Sequence, residues 1–274
     1  MTEFDEGAVL QEIDGTRLIT SSGTREVPSS GYVLDRTRFD KTLAINALED
    51  GADLACALVL KRQGGSVLVR RGGREGMFEG KAILGADGPR SIIARSIGQR
   101  NRRFLSALQY EVGLSGGESW YELHSLSGGG LHAWFVPCGR TARIGVAVKR
   151  SSARLLKGAM KDFLARFVAD RRVHQDAILS ITGGLIPVSG PGVVCRSEVL
   201  LAGAAGGLSD PFSGSGIASA VVTGEIAGRL VGEPDGLRGY ESEVTSSLPP
   251  SRNPEHMDLD EWSDHLHRIS IWSG

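Results

Sequence analysis

The sequence is poor in cysteine, in long apolar runs and in net charge. Its three cysteines, Cys56, Cys138 and Cys195, lie far apart among 274 residues. We therefore expect no disulfide framework and no metal site, and a cytoplasmic location. No stretch of about 18 apolar residues could span a bilayer, and the first residues lack the basic and apolar regions of a signal peptide. The 31 Lys and Arg against 32 Asp and Glu give a formal charge of −1, so no nucleic-acid partner is expected.

Glycine, in contrast, is in excess. The 38 glycines are about twice the average share, which is typical of loops that approach a ligand or turn with positive φ. With 41% apolar and 23% charged residues, the chain is expected to fold as one large domain or two small ones. We expect four regions in chain order: 1–103, 104–190, 191–240 and a polar tail at 241–274.

Apolar periodicity predicts an α/β fold. Helices are expected over residues 36–50, with Asp35 as N-cap and Gly51 after the end, near Met160–Val168, and over 217–231. Residues 104–149 alternate between apolar and polar, which predicts an antiparallel sheet. The predicted strands are 8–13, 17–20, 25–27, 54–61, 66–71, 76–84, 105–113, 118–126, 131–137, 142–148 and 199–203.

The segment after the last predicted strand has the pattern of a cofactor site. A glycine-rich loop runs from Gly203 to Gly216 and leads into a helix of small residues. The free N–H groups and the positive dipole end of such a helix face whatever occupies the loop. The alternative is a tight strand–helix connection that binds nothing.

Several segments occur together in a recognisable order. They are YVLDRTRFDKTLAINALEDGA, GKAILGADGPRSIIARSIG, HAWFVPCGRTARIGVAV, and the segment from GGLIPVSG to AGAAGGLSDPFSGSGIASAVV. Together they resemble the geranylgeranyl reductase family of FAD-dependent oxidoreductases, within the aromatic-hydroxylase-like flavoproteins. The resemblance covers about residues 31–231. It implies an incomplete FAD-binding Rossmann-like parallel sheet beside an antiparallel substrate sheet.

The sequence departs from the family pattern in three places. The Gly-x-Gly-x-x-Gly unit that holds the FAD pyrophosphate is not found, so we expect a fragment or one half of a two-chain enzyme whose separate chain supplies that unit. Ala204 stands where the family has an aspartate that bonds the FAD ribose or ribityl chain. In the family's substrate strand, His132 and Val136 replace a tyrosine and a phenylalanine, while Trp134 and Pro137 are kept.

The resemblance also implies roles for single residues. The expected FAD-binding residues are Arg36, Asp87, Gly88, Ala204, Pro211, Gly214, Gly216 and Ile217. For Arg36 the alternative is a solvated first-turn residue, and for Asp87 it is a helix N-cap. His132, Trp134 and Pro137 are expected to contact substrate. Four aromatic residues could line an apolar channel or belong to the core: Trp120, Tyr121, Trp134 and Phe135. No catalytic acid is identified, and Cys138 is expected to be a buried, inert thiol.

The implied reaction is reduction of carbon–carbon double bonds in prenyl chains of lipid or pigment precursors. It would use FAD and a reduced donor such as NADPH or ferredoxin, with at most peripheral membrane contact. One alternative is a flavin monooxygenase or halogenase of the same superfamily. Another is a non-catalytic relative that binds a prenyl lipid or a partner protein. Ala204 and the missing Gly-x-Gly-x-x-Gly unit favour this alternative.

Overall fold

A computed structural model describes residues 6–126, 131–210, 214–233 and 236–248, together with Glu261 and Asp264. The chain divides into two compact units. The first contains 1–54, 106–184 and 255–274, and the second contains 55–105 and 185–254. Within the described ranges, no helix is both long enough and apolar enough to cross a membrane.

The first unit is built on a seven-stranded mixed sheet with the strand order β11-β7-β10-β9-β8-β1-β2. The parallel contact between β1 and β8 makes the sheet mixed, whereas β1·β2, β8·β9 and β9·β10 are antiparallel. Its strands are β1 Val9–Thr20, β2 Gly23–Leu34, β7 Phe104–Leu114, β8 Trp120–Leu126, β9 Leu131–Cys138, β10 Thr141–Lys149 and β11 Val173–Pro187.

The described part of this unit also contains the helices α1 and α3 and two short 3-10 helices, Glu6–Ala8 and Arg150–Leu155. α3, Leu156–Ala169, buries Met160, Phe163 and Phe167, which recur every three or four residues and therefore share one face. They join Phe135 and Ile144 of the sheet in one apolar core. α1, Arg36–Glu49, begins where Asp35 accepts hydrogen bonds from the amides of Thr37 (2.9 Å) and Arg38 (3.2 Å). The predicted N-cap and the predicted helix are thus confirmed.

The second unit contains two three-stranded sheets, with the orders β3-β4-β5 and β12-β13-β6. Its core includes Leu200, Leu208, Ile226, Leu230 and Tyr240. Its elements are β3 Leu58–Gln63, β4 Ser66–Arg71, β5 Arg74–Glu79, β6 Ile83–Gly85, α2 Ile92–Ser96, β12 Cys195–Arg196, β13 Val199–Leu201, α4 Ile217–Val231 and α5 Gly236–Ser247.

Two segment predictions were wrong. Residues 9–34 form one long hairpin, β1 and β2, instead of short strands, because the polar stretches stay paired across two register shifts. The predicted strand 76–84 is two strands, β5 and β6, which belong to different sheets. No element was predicted directly after Gly236, where the structure has α5, a helix that buries Tyr240 and Val244 one turn apart. The α/β fold class itself is confirmed.

Candidate functional site

The expected cofactor segments of the second unit follow the two parallel strands of a small mixed sheet, in which β12 and β13 are antiparallel. β6 and β13 run parallel, with Gly85 opposite Leu201, and the amide of Ala202 donates to the carbonyl of Gly85 at 3.0 Å. The chain leaves β6 into the Asp87-Gly88 turn and leaves β13 into the loop that begins at Gly203. In open α/β sheets, ligands bind beyond the carboxyl ends of the strands, which is where both turns lie.

The Asp87-Gly88 turn is fixed by its own helix. Asp87 Oδ2 accepts a hydrogen bond from the amide of Ile92 at 2.6 Å, so the carboxylate supports the start of α2. Gly88 has φ +78, and no described atom lies within 4 Å of where a Cβ would stand. Its main chain therefore borders open space in a conformation that favours glycine. The N-cap of α2 is Ser91, whose hydroxyl accepts a hydrogen bond from the amide of Ala94 at 2.7 Å, so Asp87 supports the helix start without being its N-cap.

The loop after β13 packs tightly against α4. Gly203 has φ +52, and a Cβ there would stand 2.9 Å from the Cβ of Ala220, so only glycine permits this approach. Its amide donates to the Thr223 hydroxyl at 3.0 Å. The Tyr240 hydroxyl donates to the carbonyls of Leu201 (2.9 Å) and Thr223 (3.2 Å), and burial raises the pKa of Tyr240 to about 12. The strand, the loop and the helix are thereby held as one body.

The N-terminus of α4 offers main-chain N–H groups. Gly216 precedes the helix, and in the described part of the chain no side chain caps it. Gly214 has φ +70, and a Cβ added at this position would lie 3.2 Å from the side chain of Ile186. The first residue of the helix, Ile217, is 36% exposed. Uncapped amides at a helix start bind anions and polar ligand atoms. The predicted site residue Pro211 lies outside the described residues.

Asn101, which the sequence patterns did not reveal, connects the two turns. Its Nδ2 donates to the carbonyl of Pro89 at 3.1 Å and to that of Ala204 at 2.9 Å. Its Oδ1 is buried and has no hydrogen-bond partner among the described residues. A buried unpaired oxygen is costly unless a ligand or water satisfies it. No motif spacing would have identified this residue, because its role depends on contacts far apart in the chain.

These features fit a flavin dinucleotide in part. Open space at Gly88 and uncapped amides at α4 suit a ligand that is approached by main chain. The half-buried methyl group of Ala204 cannot accept a hydrogen bond from a ribose or ribityl hydroxyl. The Asn101 oxygen is buried next to Gly207 of the same loop and has no hydrogen-bond partner among the described residues.

Arg36, the remaining cofactor candidate, lies in the first unit at the start of α1. Its guanidinium pairs with both carboxylate oxygens of Asp40, each at 2.9 Å, and the side chains of both residues are about half exposed. Exposed pairs of this i,i+4 type contribute only about 0.3–0.5 kcal/mol to stability. A ligand phosphate or ring could therefore displace Asp40 at little cost.

The structure brings together two of the three expected substrate residues. His132 and Trp134 lie on one face of β9, and Pro137 is buried on the other. The indole of Trp134 donates to Gln109 Oε1 at 2.9 Å, and Gly145 on β10 stands opposite it, where a Cβ would overlap the ring. Gly145 thus makes room for the indole, which stays half-exposed.

The opposite face of this sheet belongs to the core. Phe135 is fully buried and stacks on Phe167 at 4.9 Å, so it lines no channel in the first unit. The Cys138 thiol is buried, and burial raises its pKa. Both observations agree with the core alternative for Phe135 and with an inert thiol at Cys138.

A buried charge cluster lies on the same core face, formed by Glu122, His124 and Arg172. Glu122 is 2% exposed, and its Oε2 lies 3.0 Å from Nε2 of His124. Its Oε1 lies 2.8 Å from Nη2 of Arg172, a contact that lacks hydrogen-bond alignment. Burial alone would raise the pKa of Glu122, but the hydrogen bond with His124 and the adjacent guanidinium of Arg172 outweigh it and lower the pKa to about 2. Arg172 also bonds Glu118 at 2.6 Å and lies 4.4 Å from the Phe135 ring centre.

The chain was compared with known proteins. No family model matches it. It is 31% identical over 292 aligned positions to a digeranylgeranylglycerophospholipid reductase of Methanothrix thermoacetophila, which covers 96% of this chain and 74% of that protein. It is 30% identical to digeranylgeranylglycerophospholipid reductase 3 of Methanosphaera stadtmanae, over 87% of this chain and 66% of that protein. The chain thus spans 66–74% of the length of these two relatives.

Solved structures share the fold. A geranylgeranyl bacteriochlorophyll reductase-like protein from Thermoplasma acidophilum matches with a TM-score of 0.80 and 23% identity, over 99% of this chain and 77% of that one. A flavin-dependent brominase matches with a TM-score of 0.69 and 16% identity, over 88% and 69% of the two chains. The fold is thus that of these flavoproteins, and the predicted geranylgeranyl reductase resemblance is confirmed. By its 31% identity across 96% of its length, the chain belongs to the digeranylgeranylglycerophospholipid reductase family.

Proposed function

We propose that this protein is an FAD-dependent reductase that saturates carbon–carbon double bonds in the geranylgeranyl chains of a glycerophospholipid. The observation that carries the proposal is the 31% identity, over nearly the whole chain, to a reductase named for that lipid. The Asp87-Gly88 turn and the loop that leads to the uncapped start of α4 follow two paired parallel strands of one unit, which supports it.

The cofactor would be held by main chain more than by side chains. Gly88 and Gly214 provide left-handed turns, and the amides that follow Gly216 are free to donate to a polar ring edge or a phosphate. When bound, FAD supplies the hydride that an isolated double bond requires. Ala204 has no carboxylate to replace that of the family's aspartate. In its place the buried Oδ1 of Asn101 would accept a hydrogen bond from a cofactor hydroxyl.

The substrate would be positioned by the half-exposed face of β9. Trp134 is held in place by its bond to Gln109 and by the space over Gly145, so it offers a rigid apolar surface to a prenyl chain. His132 lies on the same face. We propose NADPH or ferredoxin as the reduced donor. The role that the resemblance gives to Arg36 at the flavin stays a prediction.

Anaerobic turnover with mass spectrometry tests the proposal. The purified chain is mixed with FAD, desalted, reduced chemically and incubated with a digeranylgeranylglyceryl phospholipid in detergent. Each reduced double bond adds one hydride and one proton, so the product series rises by the mass of two hydrogen atoms per step. Retained flavin with an unchanged lipid mass would favour the non-catalytic alternative. An oxygenated or halogenated product under aerobic conditions would favour the monooxygenase or halogenase alternative.

A further inference from the structure

The second unit carries an uneven concentration of positive charge. Between Asp87 and Glu111 the sequence has no acidic residue and contains five arginines, although the chain as a whole has a net charge of only −1. All five side chains are exposed. We call this set the arginine patch: Arg90, Arg95, Arg100, Arg102 and Arg103.

The main chain beneath the patch is held firmly. Gln99 and Asn101 face inward, where Gln99 accepts a hydrogen bond from the amide of Val193 at 3.2 Å and Asn101 bonds Pro89 and Ala204. The Ser189 hydroxyl accepts hydrogen bonds from the amides of Arg102 and Arg103, each at 2.8 Å. Arg100, Arg102 and Arg103 are thus exposed side chains on one anchored segment, and the Asn101–Pro89 bond ties the residue before Arg90 to the same segment.

The patch is not neutralised within the described part of the protein. Ion pairs of the second unit involve Arg62, Arg70 and Arg229 instead. In the described residues, none of the five patch arginines has an acidic partner. Like charges held close together raise the local potential and attract anions. The guanidinium group matches phosphate oxygens in a bidentate manner, so the chemistry of the patch is that of a phosphate-binding surface.

We propose that the arginine patch docks the protein onto a membrane surface of anionic phospholipid headgroups. The proposal rests on the proposed function, because a glycerophospholipid substrate lies in such a surface. An acidic electron-carrier protein is favoured less. Stable protein interfaces have an apolar or aromatic centre, whereas in the described residues 88–105 no large apolar side chain is exposed.

Vesicle binding by the full chain tests the proposal. Sedimentation is measured with vesicles of phosphatidylcholine alone and of phosphatidylcholine mixed with phosphatidylglycerol. We expect binding only to the mixed vesicles, weakening as salt is added. The triple variant Arg100→Gln, Arg102→Gln, Arg103→Gln should lose about 100-fold in affinity, since each basic side chain near an anionic surface contributes roughly fivefold.

A matched control removes the same charge elsewhere in the same unit. The variant Lys61→Gln, Arg71→Gln, Arg74→Gln changes exposed side chains of β3–β5 and should bind within about threefold of the parent. Circular dichroism and the melting temperature verify that both variants fold. Equal loss in the two variants, no loss in the patch variant, or equal binding to phosphatidylcholine vesicles would each overturn the proposal. So would salt-sensitive binding of reduced ferredoxin without vesicle binding, which would assign the patch to a protein partner.

Activity separates this proposal from the proposed function. The patch variant should retain the parent's rate on lipid dispersed in detergent and lose rate on lipid in anionic vesicles. A parent chain that reduces dispersed lipid but does not bind vesicles contradicts the docking proposal alone. A parent chain that binds anionic vesicles but reduces no lipid contradicts the proposed function alone.

Discussion

Replacing Glu122 by glutamine should destabilise the first unit by about 3 kcal/mol near neutral pH. The carboxylate is 2% exposed and contacts both His124 and Arg172. Its pKa falls from 4.5 to about 2 on folding. Lowering a carboxyl pKa by one on folding stabilises the folded state by about 1.4 kcal/mol at neutral pH. Glutamine keeps the shape of the side chain and removes the charge, which leaves Arg172 with only Glu118 beside it.

The sign of the pH dependence follows from the lowered pKa. Because the folded state holds the carboxylate ionised, the stabilisation is complete above about pH 4.5 and is lost as the pH falls toward about 2. The difference in unfolding free energy between parent and variant should therefore be constant at neutral pH. It should shrink by about 1.4 kcal/mol per pH unit below about pH 4.5.

Urea unfolding, followed by tryptophan fluorescence at several pH values, measures this difference. Glu75→Gln is the matched control. Glu75 also pairs with an arginine, Arg70, at 2.8 Å, but its side chain is 48% exposed, so its loss should cost at most about 1 kcal/mol. Equal loss of stability in the two variants, or a gap for Glu122→Gln that widens in acid, would refute this prediction.

Further predictions concern the site and its support. Gly88→Ala and Gly64→Ala both place a side chain at positive φ in space free of described atoms. Both substitutions should therefore lower the free energy of unfolding in urea by about 1–2 kcal/mol. Only Gly88→Ala should weaken FAD binding in a fluorescence titration. Equal flavin affinity in the two variants would argue against a cofactor at this turn. Tyr240→Phe removes the hydroxyl that binds two carbonyls and should cost about 1–3 kcal/mol, equally at neutral and mildly alkaline pH because the pKa of Tyr240 is about 12. A loss that changes with pH over that range would contradict this. Gly145→Ala should displace the Trp134 indole, which a changed near-ultraviolet circular dichroism signal would report, and an unaltered signal would show that the ring has room.

Local patterns predicted those parts of the fold whose stabilising contacts are close in the chain. The α1 helix has its N-cap Asp35 adjacent to it, and the β7–β10 strands alternate because one face packs on α3. The sequence did not predict the α5 helix, because its stability depends on hydrogen bonds from the Tyr240 hydroxyl to the carbonyls of Leu201 and Thr223. No local sequence pattern encodes these contacts. The sequence predicted short strands in place of the 9–34 hairpin for a similar reason, because its polar stretches are held by cross-strand pairing.

The candidate site shows the same limit. Glycine-rich turns at Gly88 and Gly203 are visible in the sequence because positive φ restricts the residue type. Asn101 was missed because an asparagine in an arginine-rich stretch has no distinctive spacing, and only the fold places it between Pro89 and Ala204. Pro137 and Trp134 lie on opposite faces of β9 because side chains alternate along a strand, whereas the resemblance assigned both residues to the substrate site.

Anaerobic reoxidation of the reduced flavoprotein by lipid tests the central claim most directly. The chain is loaded with FAD, reduced, freed of excess reductant and mixed with a digeranylgeranylglyceryl phospholipid, while the visible absorbance of oxidised flavin is followed. A fully saturated lipid of the same headgroup is the control. We expect the absorbance to return with the unsaturated lipid only, in proportion to the double bonds lost. Flavin that stays reduced with both lipids, or reoxidises equally with both, would contradict the claim.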